Sequence, residues 1–286
     1  MHQFTNPSLL LLVFSLLASL NTAIADTSTA LLAMEDPQNP LMRISTSQGE
    51  IYLELFPIEA PRNVEKFIAL AEGEIEFTNQ DTGEAIQARY YNGMRFHRVV
   101  PGFIIQAGSP AYNPLGLQVN LLDDEINADA LGLDQISALN ADGSFADVLN
   151  IESKSDFHQE ILTPLYAQKN ITDVEVALNR QYQVLEMLQN LSVKSVYENQ
   201  GYRYDDSLKS RPIERGTVAL ANSGPNSNGP EFFISLATAE RLSGKYTVIG
   251  KVVEGQEVID SIGNTEIDPD QYSRLSTLIY SVRKAN

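Results

Sequence analysis

Residues 96–108 read FHRVVPGFIIQAG, and this stretch says more about the fold than any other part of the chain. It contains two runs of strand-forming residues, one on each side of Pro101-Gly102. Proline lacks a backbone N–H and glycine tolerates unusual backbone angles, so this dipeptide is typical of a bend or bulge. The pattern predicts two strands separated by that bend.

Similar strand patterns occur on both sides of this stretch. Residues 41–55 alternate between apolar and polar side chains around Ser47-Gln48-Gly49, which is the pattern of a β-hairpin. Further strands are predicted within residues 215–235, 246–262 and 275–282. The chain is therefore expected to be mainly β.

Two helices accompany these strands. The first begins at Pro61, because a helix does not need the N–H of its first residue, and it ends near Gly73. The second is short and follows the Glu254-Gly255 turn. Many strands with two helices indicate a β-barrel closed by helical plugs.

Residues 129–210 have a different character, because they are acidic, polar and rich in helical signals. A capping box occupies residues 172–175. The apolar residues that follow at helical spacing are Val174, Leu178, Tyr182, Leu185 and Leu188. They predict one amphipathic helix of about five turns. Such a stripe usually packs onto its own domain, and the alternative is a docking surface for a partner.

Composition excludes several classes of function. The chain has 286 residues, with 20 Lys+Arg against 37 Asp+Glu and a net charge of −17. An acidic chain is a poor binder of nucleic acid and of anionic membranes, since both need clustered positive charge. The absence of cysteine rules out disulfides, zinc–thiolate sites and thiol catalysis.

The sequence offers no support for the common hydrolase and cofactor chemistries. It has three histidines, too few and too scattered to favour a Ser-His-Asp triad or a histidine-rich metal site. The glycines of residues 224–229 lack the lysine and the helix that phosphate binding requires. We therefore expect neither a metal nor a cofactor.

The N-terminus suggests export. Residues 9–20 form an apolar run that is shorter than the ~20 residues a membrane-spanning helix needs, and Ala23-Ile24-Ala25 follows as a small-x-small cleavage pattern. Residues 1–25 are predicted to be a cleaved signal peptide, with the periplasm as the destination and no membrane insertion after cleavage. An uncleaved anchor is the alternative.

Three ordered stretches carry a resemblance to one family. Residues 96–108, GTVALANSGPNSNGPEFFI (216–234) and LSGKYTVIGKVVEGQEVIDSI (242–262) resemble the signatures of the cyclophilin-type peptidyl-prolyl isomerases. The resemblance covers residues 41–128 and 211–286. It implies a mainly β fold, an eight-stranded antiparallel closed β-barrel with two capping helices. Residues 129–210 would then be an acidic, largely helical insertion.

The same resemblance implies an active site on the outer face of the barrel. Arg98 takes the position of the catalytic arginine. The positions implied to bind substrate are Phe103, Ile104, Gln106, Ala221, Asn222, Glu231, Phe233, Leu242 and Tyr246.

An arginine suits prolyl isomerisation for a physical reason. The reaction rotates an X–Pro amide over a barrier of about 18–20 kcal/mol and breaks no bond. The twisted amide loses resonance, and its nitrogen becomes basic. A fixed guanidinium donates to that twisted state more strongly than to the planar one, and this difference is what accelerates the rotation.

Glu231 is a departure from the family pattern, which usually has Gln at this position near the arginine. We expect the carboxylate to pair with Arg98, either orienting it or competing with substrate. Turnover would then be reduced or altered relative to the rest of the family.

The leading interpretation is an exported isomerase that assists the folding of proline-containing polypeptide clients. A second interpretation is a proline-peptide-binding or chaperone module with weak or no turnover, in which the insertion binds a protein partner. A third, a structural or envelope-assembly protein, depends on the predicted 172–190 helix alone.

Overall fold

The computed structural model describes residues 25–78, 83–265 and 276–286, so nearly all of the predicted signal peptide lies outside the described residues. The strands are β1 (Leu41–Thr46), β2 (Gly49–Leu55), β3 (Glu76–Thr78), β4 (Ala85–Gln87), β5 (Phe96–Val100), β6 (Ile104–Ala107), β7 (Thr217–Leu220), β8 (Phe232–Ser235), β9 (Val248–Glu254) and β10 (Ile279–Lys284). The α-helices are α1 (Thr27–Ala33), α2 (Pro61–Glu72), α3 (Lys154–Asp156), α4 (Thr163–Gln168), α5 (Val174–Asn179), α6 (Gln181–Gln189), α7 (Val193–Asn199) and α8 (Gln256–Gly263).

Eight of the strands form one curled antiparallel sheet in the order β10-β1-β2-β9-β7-β8-β6-β5. The two edge strands are β10 and β5. A single antiparallel bridge, Arg95 to Leu278, joins their ends. The prediction of a closed barrel is therefore correct only in part: the strands and their antiparallel pairing are present, but regular pairing does not close the sheet.

The predicted hairpin and both predicted helices are confirmed. β1 and β2 pair around the turn at residues 47–48. α2 begins at Pro61 and is capped by Gly73, which adopts the left-handed conformation (φ 76°) and donates its N–H to the carbonyl of Ala69. α8 follows Gly255 directly. A short hairpin of β3 and β4 lies in the connection after α2 and was not predicted.

Consecutive side chains of one strand pack into two different hydrophobic clusters, one on each face of the sheet. In β8, Phe232 and Ile234 enter the core inside the sheet, whereas Phe233 belongs to a separate cluster on the outer face. In β6, Ile105 faces inward and Ile104 faces outward. Successive side chains of a strand point to opposite faces. Each of these strands therefore serves the core and the outer face at once.

Residues 129–210, the predicted insertion, have a hydrophobic cluster of their own, which includes Leu133, Ile161, Val193 and Tyr197. It packs on the barrel near residues 240–245. There the Tyr204 hydroxyl donates to the carbonyl of Gly244 (2.9 Å), and the Lys245 ammonium lies 4.6 Å from the centre of the Tyr197 ring.

The single long helix predicted after residue 172 is wrong in two respects. The helical run breaks at Arg180, whose N–H bonds to the carbonyls of both Val176 and Ala177 in a tightened turn. The N-cap is Asp173, not Thr172, since the Asp173 carboxylate accepts from the N–H of Val176 (2.9 Å). Thr and Asp are both common N-cap residues, so the sequence pattern alone does not tell which of the two caps the helix.

Candidate active site

The bend at Pro101-Gly102 turns β5 back onto β6, and the pairing that results lines up a row of side chains. Arg98 on β5 is paired with Gln106 on β6, Gln106 with Phe233 on β8, and Phe233 with Ala219 on β7. Adjacent strands lie about 4.8 Å apart, so directly paired side chains on one face are neighbours. The row places a cation, an amide and an aromatic ring side by side.

An apolar pocket surrounds the Phe233 end of the row. Phe233 is 3% exposed and meets the Tyr246 ring edge-on, with 5.4 Å between ring centres. Ile104 is also buried in this outer-face cluster. The half-buried side chains packed around it are Phe103, Ala221, Leu242 and Tyr246, together with Val100. This grouping offers an apolar surface of a kind that suits a proline ring.

The Arg98 end of the row is polar and ordered by hydrogen bonds. The exposed Arg98 donates from Nη1 to Oε1 of Gln106 (3.0 Å). Gln106 donates from Nε2 to the Glu231 carboxylate, and Nε2 of His97 lies 2.9 Å from the same carboxylate oxygen. Because a carboxylate can only accept, both neighbours donate to it, and Oε1 of Gln106 is left to face Arg98.

Glu231 does not pair with Arg98 directly, so that expectation is wrong. The pairing of β5 with β6 shifts register between Phe96 and Arg98. Such a bulge places two consecutive side chains towards one partner. His97 therefore reaches Glu231, and Arg98 reaches Gln106. In the sequence, Pro101-Gly102 indicates a bend or bulge. No feature of the sequence places the bulge at His97.

Burial and hydrogen bonding act in opposite directions on the pKa of Glu231. Burial on its own would raise the pKa, but the hydrogen bonds from His97 and Gln106 outweigh burial and hold it below the ordinary value. Glu231 is therefore a carboxylate at neutral pH. Its negative charge lies one side chain away from Arg98.

Asn222 lies at the end of β7 and helps to shape the loop that follows. Its side-chain amide donates to the carbonyl of Lys245 (2.9 Å), and its Oδ1 accepts from the N–H of Gly224 (3.3 Å). Ala221, the preceding residue, donates its N–H to the carbonyl of Glu231. These bonds bring residues 221–222 against the loop that carries Tyr246.

Sequence reasoning missed a cleft that borders this face. It has a volume of about 410 Å³ and lies between Phe103 and Arg241 of the barrel and Asp147 and Val148 of the insertion. The Arg241 guanidinium carbon lies 4.6 Å from the centre of the Phe103 ring. The insertion therefore forms one wall of a cleft beside residues predicted to bind substrate.

The structure thus brings the ten predicted site residues to one region of the outer face. No side-chain group in the described ranges has three or more metal-ligating residues placed to hold a metal ion. Nor is any described helix long and apolar enough to cross a membrane.

Comparison with known proteins gives the class of protein that this fold and site define. The family model described as cyclophilin type peptidyl-prolyl cis-trans isomerase/CLD matches residues 41–284. The chain therefore belongs to the cyclophilin-type peptidyl-prolyl cis–trans isomerases, as the three stretches indicated. Its activity is the one the family is named for, rotation about the peptide bond that precedes proline.

Individual relatives are similar to this chain over different shares of their own length. Peptidyl-prolyl cis-trans isomerase B of Streptomyces anulatus is 27% identical over 79% of this chain and 85% of its own length. The peptidylprolyl isomerase domain and WD repeat-containing protein 1 of Mus musculus is 24% identical, but the match spans 21% of its length. A Cryptosporidium parvum cyclophilin-type isomerase, crystallised in the presence of the dipeptide Ala-Pro, has a TM-score of 0.48 and 18% identity, covering 86% of this chain and 99% of that one.

Proposed function

We propose that the outer face of β5, β6 and β8 is the catalytic surface, with Arg98 as the catalytic residue. The observation that carries this proposal is the row of Arg98, Gln106 and Phe233 across three paired strands. It sets a guanidinium and an apolar pocket on the same face of the sheet, two strands apart.

In this mechanism the proline ring sits against Phe233 and its apolar neighbours while the preceding carbonyl rotates. Arg98 donates to the amide nitrogen as it becomes pyramidal, and so stabilises the twisted state more than either planar state. Uncatalysed isomerisation takes about tens to hundreds of seconds. A ~10⁵-fold acceleration requires about 7 kcal/mol of this preferential stabilisation.

Gln106 is assigned two roles. Its Oε1 accepts from Arg98 and holds the guanidinium in place, and its fixed orientation comes from the Glu231 carboxylate on the other side. A guanidinium that is already oriented loses less conformational entropy when the substrate arrives. His97 positions Glu231 and makes no contact with the substrate.

The proposed biological role is assistance to the folding of exported proteins, with proline-containing polypeptides as the clients. What supports export is the apolar run of residues 9–20 and the cleavage pattern at residues 23–25. We propose the periplasm as the compartment, cleavage after residue 25 as the processing step, and the 129–210 segment as an added client- or partner-binding unit.

The test is cis–trans exchange of a short X–Pro peptide, measured by NMR with protein that starts at Asp26. We expect fast exchange with the wild type and a rate about a hundredfold or more lower with Arg98→Ala. Removing one preorganised hydrogen-bond donor to a transition state typically costs about that much in rate. Arg43→Ala removes a surface strand arginine elsewhere in the sheet and serves as the matched control.

A folded wild type that binds the peptide without accelerating exchange would overturn catalysis in favour of a proline-binding module. Equal loss in Arg98→Ala and Arg43→Ala would overturn the role of Arg98. Far-UV and near-UV circular dichroism of both variants distinguishes a catalytic loss from misfolding.

A further inference from the structure

The insertion carries an open apolar groove of about 710 Å³. It is lined by α5, α6 and the helical turns before them. Three side chains that line it are strongly exposed: Val174 (75%), Leu178 (61%) and Leu185 (51%). Tyr182, beside them on α6, is 83% exposed. Contiguous apolar surface of this kind is typical of a binding site.

These side chains are not needed to hold the insertion together. Its own core is built from other residues, such as Ile161, Val196 and Tyr197, which are nearly inaccessible to solvent. The expectation that the stripe packs onto its own domain is therefore wrong for its first four residues. Leu188, at its end, does pack against the core.

The negative charge of residues 129–210 indicates which kind of polypeptide the groove would bind. Residues 129–210 contain 13 Asp+Glu and 6 Lys+Arg, a net charge of −7 within a chain of −17. Asp173 lies in the groove lining, and Glu175 is its neighbour on the exposed turn of α5. Two copies of such a chain repel each other, whereas a segment with net positive charge is attracted.

The groove is joined to the catalytic face through one packed cluster. Phe157 lines the groove, and its ring lies 5.0 Å from that of Phe145 in the insertion core. Val148 packs against the same core and also borders the cleft beside Phe103. A single polypeptide held in the groove is thus kept near the catalytic face through this series of packed side chains.

We propose that this groove binds an apolar, positively charged segment of the same client polypeptide whose X–Pro bond enters the catalytic face. The proposal rests on the function proposed above, because the polypeptide that would occupy the groove is the substrate of the isomerase reaction. Unfolded chains expose apolar side chains that folded proteins bury.

The consequence is a preference for long substrates over short ones. Binding one segment raises the effective concentration of the next, and the gain for tethered sites is about 10²–10⁴-fold at best. We expect kcat/KM for a long apolar and basic client to exceed that for a tetrapeptide by about tenfold or more. The gain should appear mainly in KM, since the groove does not touch the rotating bond.

The experiment compares two fluorescent 20-residue peptides without proline, one alternating leucine with lysine and the other alternating leucine with glutamate. The groove variant is Leu178→Ser with Tyr182→Ser. The matched control is Ile58→Ser with Tyr280→Ser, because these are also exposed apolar residues and lie on the barrel. Affinity is measured by fluorescence anisotropy, and self-association by sedimentation equilibrium.

We expect the lysine peptide to bind the wild type and the control equally, and the groove variant at least tenfold more weakly. The glutamate peptide should bind more weakly than the lysine peptide at low salt. Equal binding of both peptides, or binding that the groove variant retains, overturns the proposal. A wild-type dimer that the groove variant dissociates overturns it in favour of a second copy.

Exchange of the short X–Pro peptide is measured on the same samples and should not change in the groove variant. This readout separates the two proposals. Absent exchange with intact lysine-peptide binding contradicts the proposed catalysis, whereas intact exchange with no peptide binding contradicts the groove alone.

Discussion

Glu231 is the residue at which the resemblance predicts a carboxylate in place of the glutamine that the family usually has. Its carboxylate accepts from His97 and Gln106 and therefore fixes which end of the Gln106 amide faces Arg98. The same charge opposes the positive potential of the guanidinium, which the twisted amide requires. The Glu231 carboxylate thus favours catalysis by orienting Gln106 and opposes it by weakening the positive potential at Arg98.

We predict that Glu231→Gln raises turnover of a short X–Pro peptide by about threefold to tenfold, an effect of about 1 kcal/mol. The glutamine oxygen can still accept from His97 and Gln106, so the orientation persists while the opposing charge is removed. NMR exchange rates compared with those of Glu231→Ala, which removes the acceptor as well, provide the measurement. A rate for Glu231→Gln at or below the wild type would contradict the charge argument.

The stability of the protein should also depend on pH through Glu231. Because its folded pKa lies below the ordinary value, the ionised carboxylate stabilises the fold at every pH above that ordinary value. This contribution is lost as pH falls through the lowered pKa. We predict that the wild type exceeds Glu231→Gln in unfolding free energy at neutral pH and that the difference shrinks in acid. Urea unfolding of both proteins across pH tests this, and a difference that does not vary with pH would speak against it.

At the scale of elements, a buried carboxylate anchors the segment before residue 129 to the start of α2. Glu125 accepts from the backbone N–H groups of Arg62 and Asn63 at the start of α2, and from both of their side chains. A negative charge is favourable at a helix N-terminus, where these N–H groups have no partner within the helix.

We predict that Glu125→Ala lowers the free energy of unfolding by about 2–3 kcal/mol, since it leaves the backbone N–H groups of Arg62 and Asn63 without their acceptor. Asp123→Ala is the matched control, because Asp123 meets the same Arg62 at 3.8 Å but is 66% exposed. Exposed pairs contribute about 0–1 kcal/mol. Denaturant titration of both variants measures the contrast, and equal losses would show that Glu125 has no special role.

The strands were predictable because their signal is local. Apolar and polar side chains alternate through β1. In contrast, β8 is buried on both faces, and its sequence does not tell which of Phe232 and Phe233 enters the core inside the sheet. The row of Arg98, Gln106 and Phe233 was predictable only through the family resemblance, because it depends on strand pairing between distant parts of the chain. Residues 172–190 contain neither proline nor glycine, so the sequence does not predict that the helix breaks at Arg180.

At the scale of the whole molecule, the sequence predicted an insertion over residues 129–210 but did not predict which of its apolar side chains are covered. Its apolar stripe is consistent with a buried helix and with an exposed one, and the periodicity is the same in both cases. The choice depends on which surfaces the rest of the insertion already covers. That information lies in tertiary packing, such as the cluster around Tyr197.

Net charge is the other property that belongs to the molecule as a whole. A charge of −17 opposes compaction, and salt screens this repulsion over about 8–10 Å at physiological ionic strength. We predict that added NaCl raises the unfolding temperature, by about 2–4 °C for each kcal/mol of repulsion removed. The ion pairs act in the opposite direction, but those of Lys251 and Arg211 with Glu35 are partly exposed and are screened as well. Choline chloride at equal ionic strength is the control for ion-specific effects. An unfolding temperature that falls with salt would mean that these attractive pairs, rather than net repulsion, dominate the electrostatics of the fold.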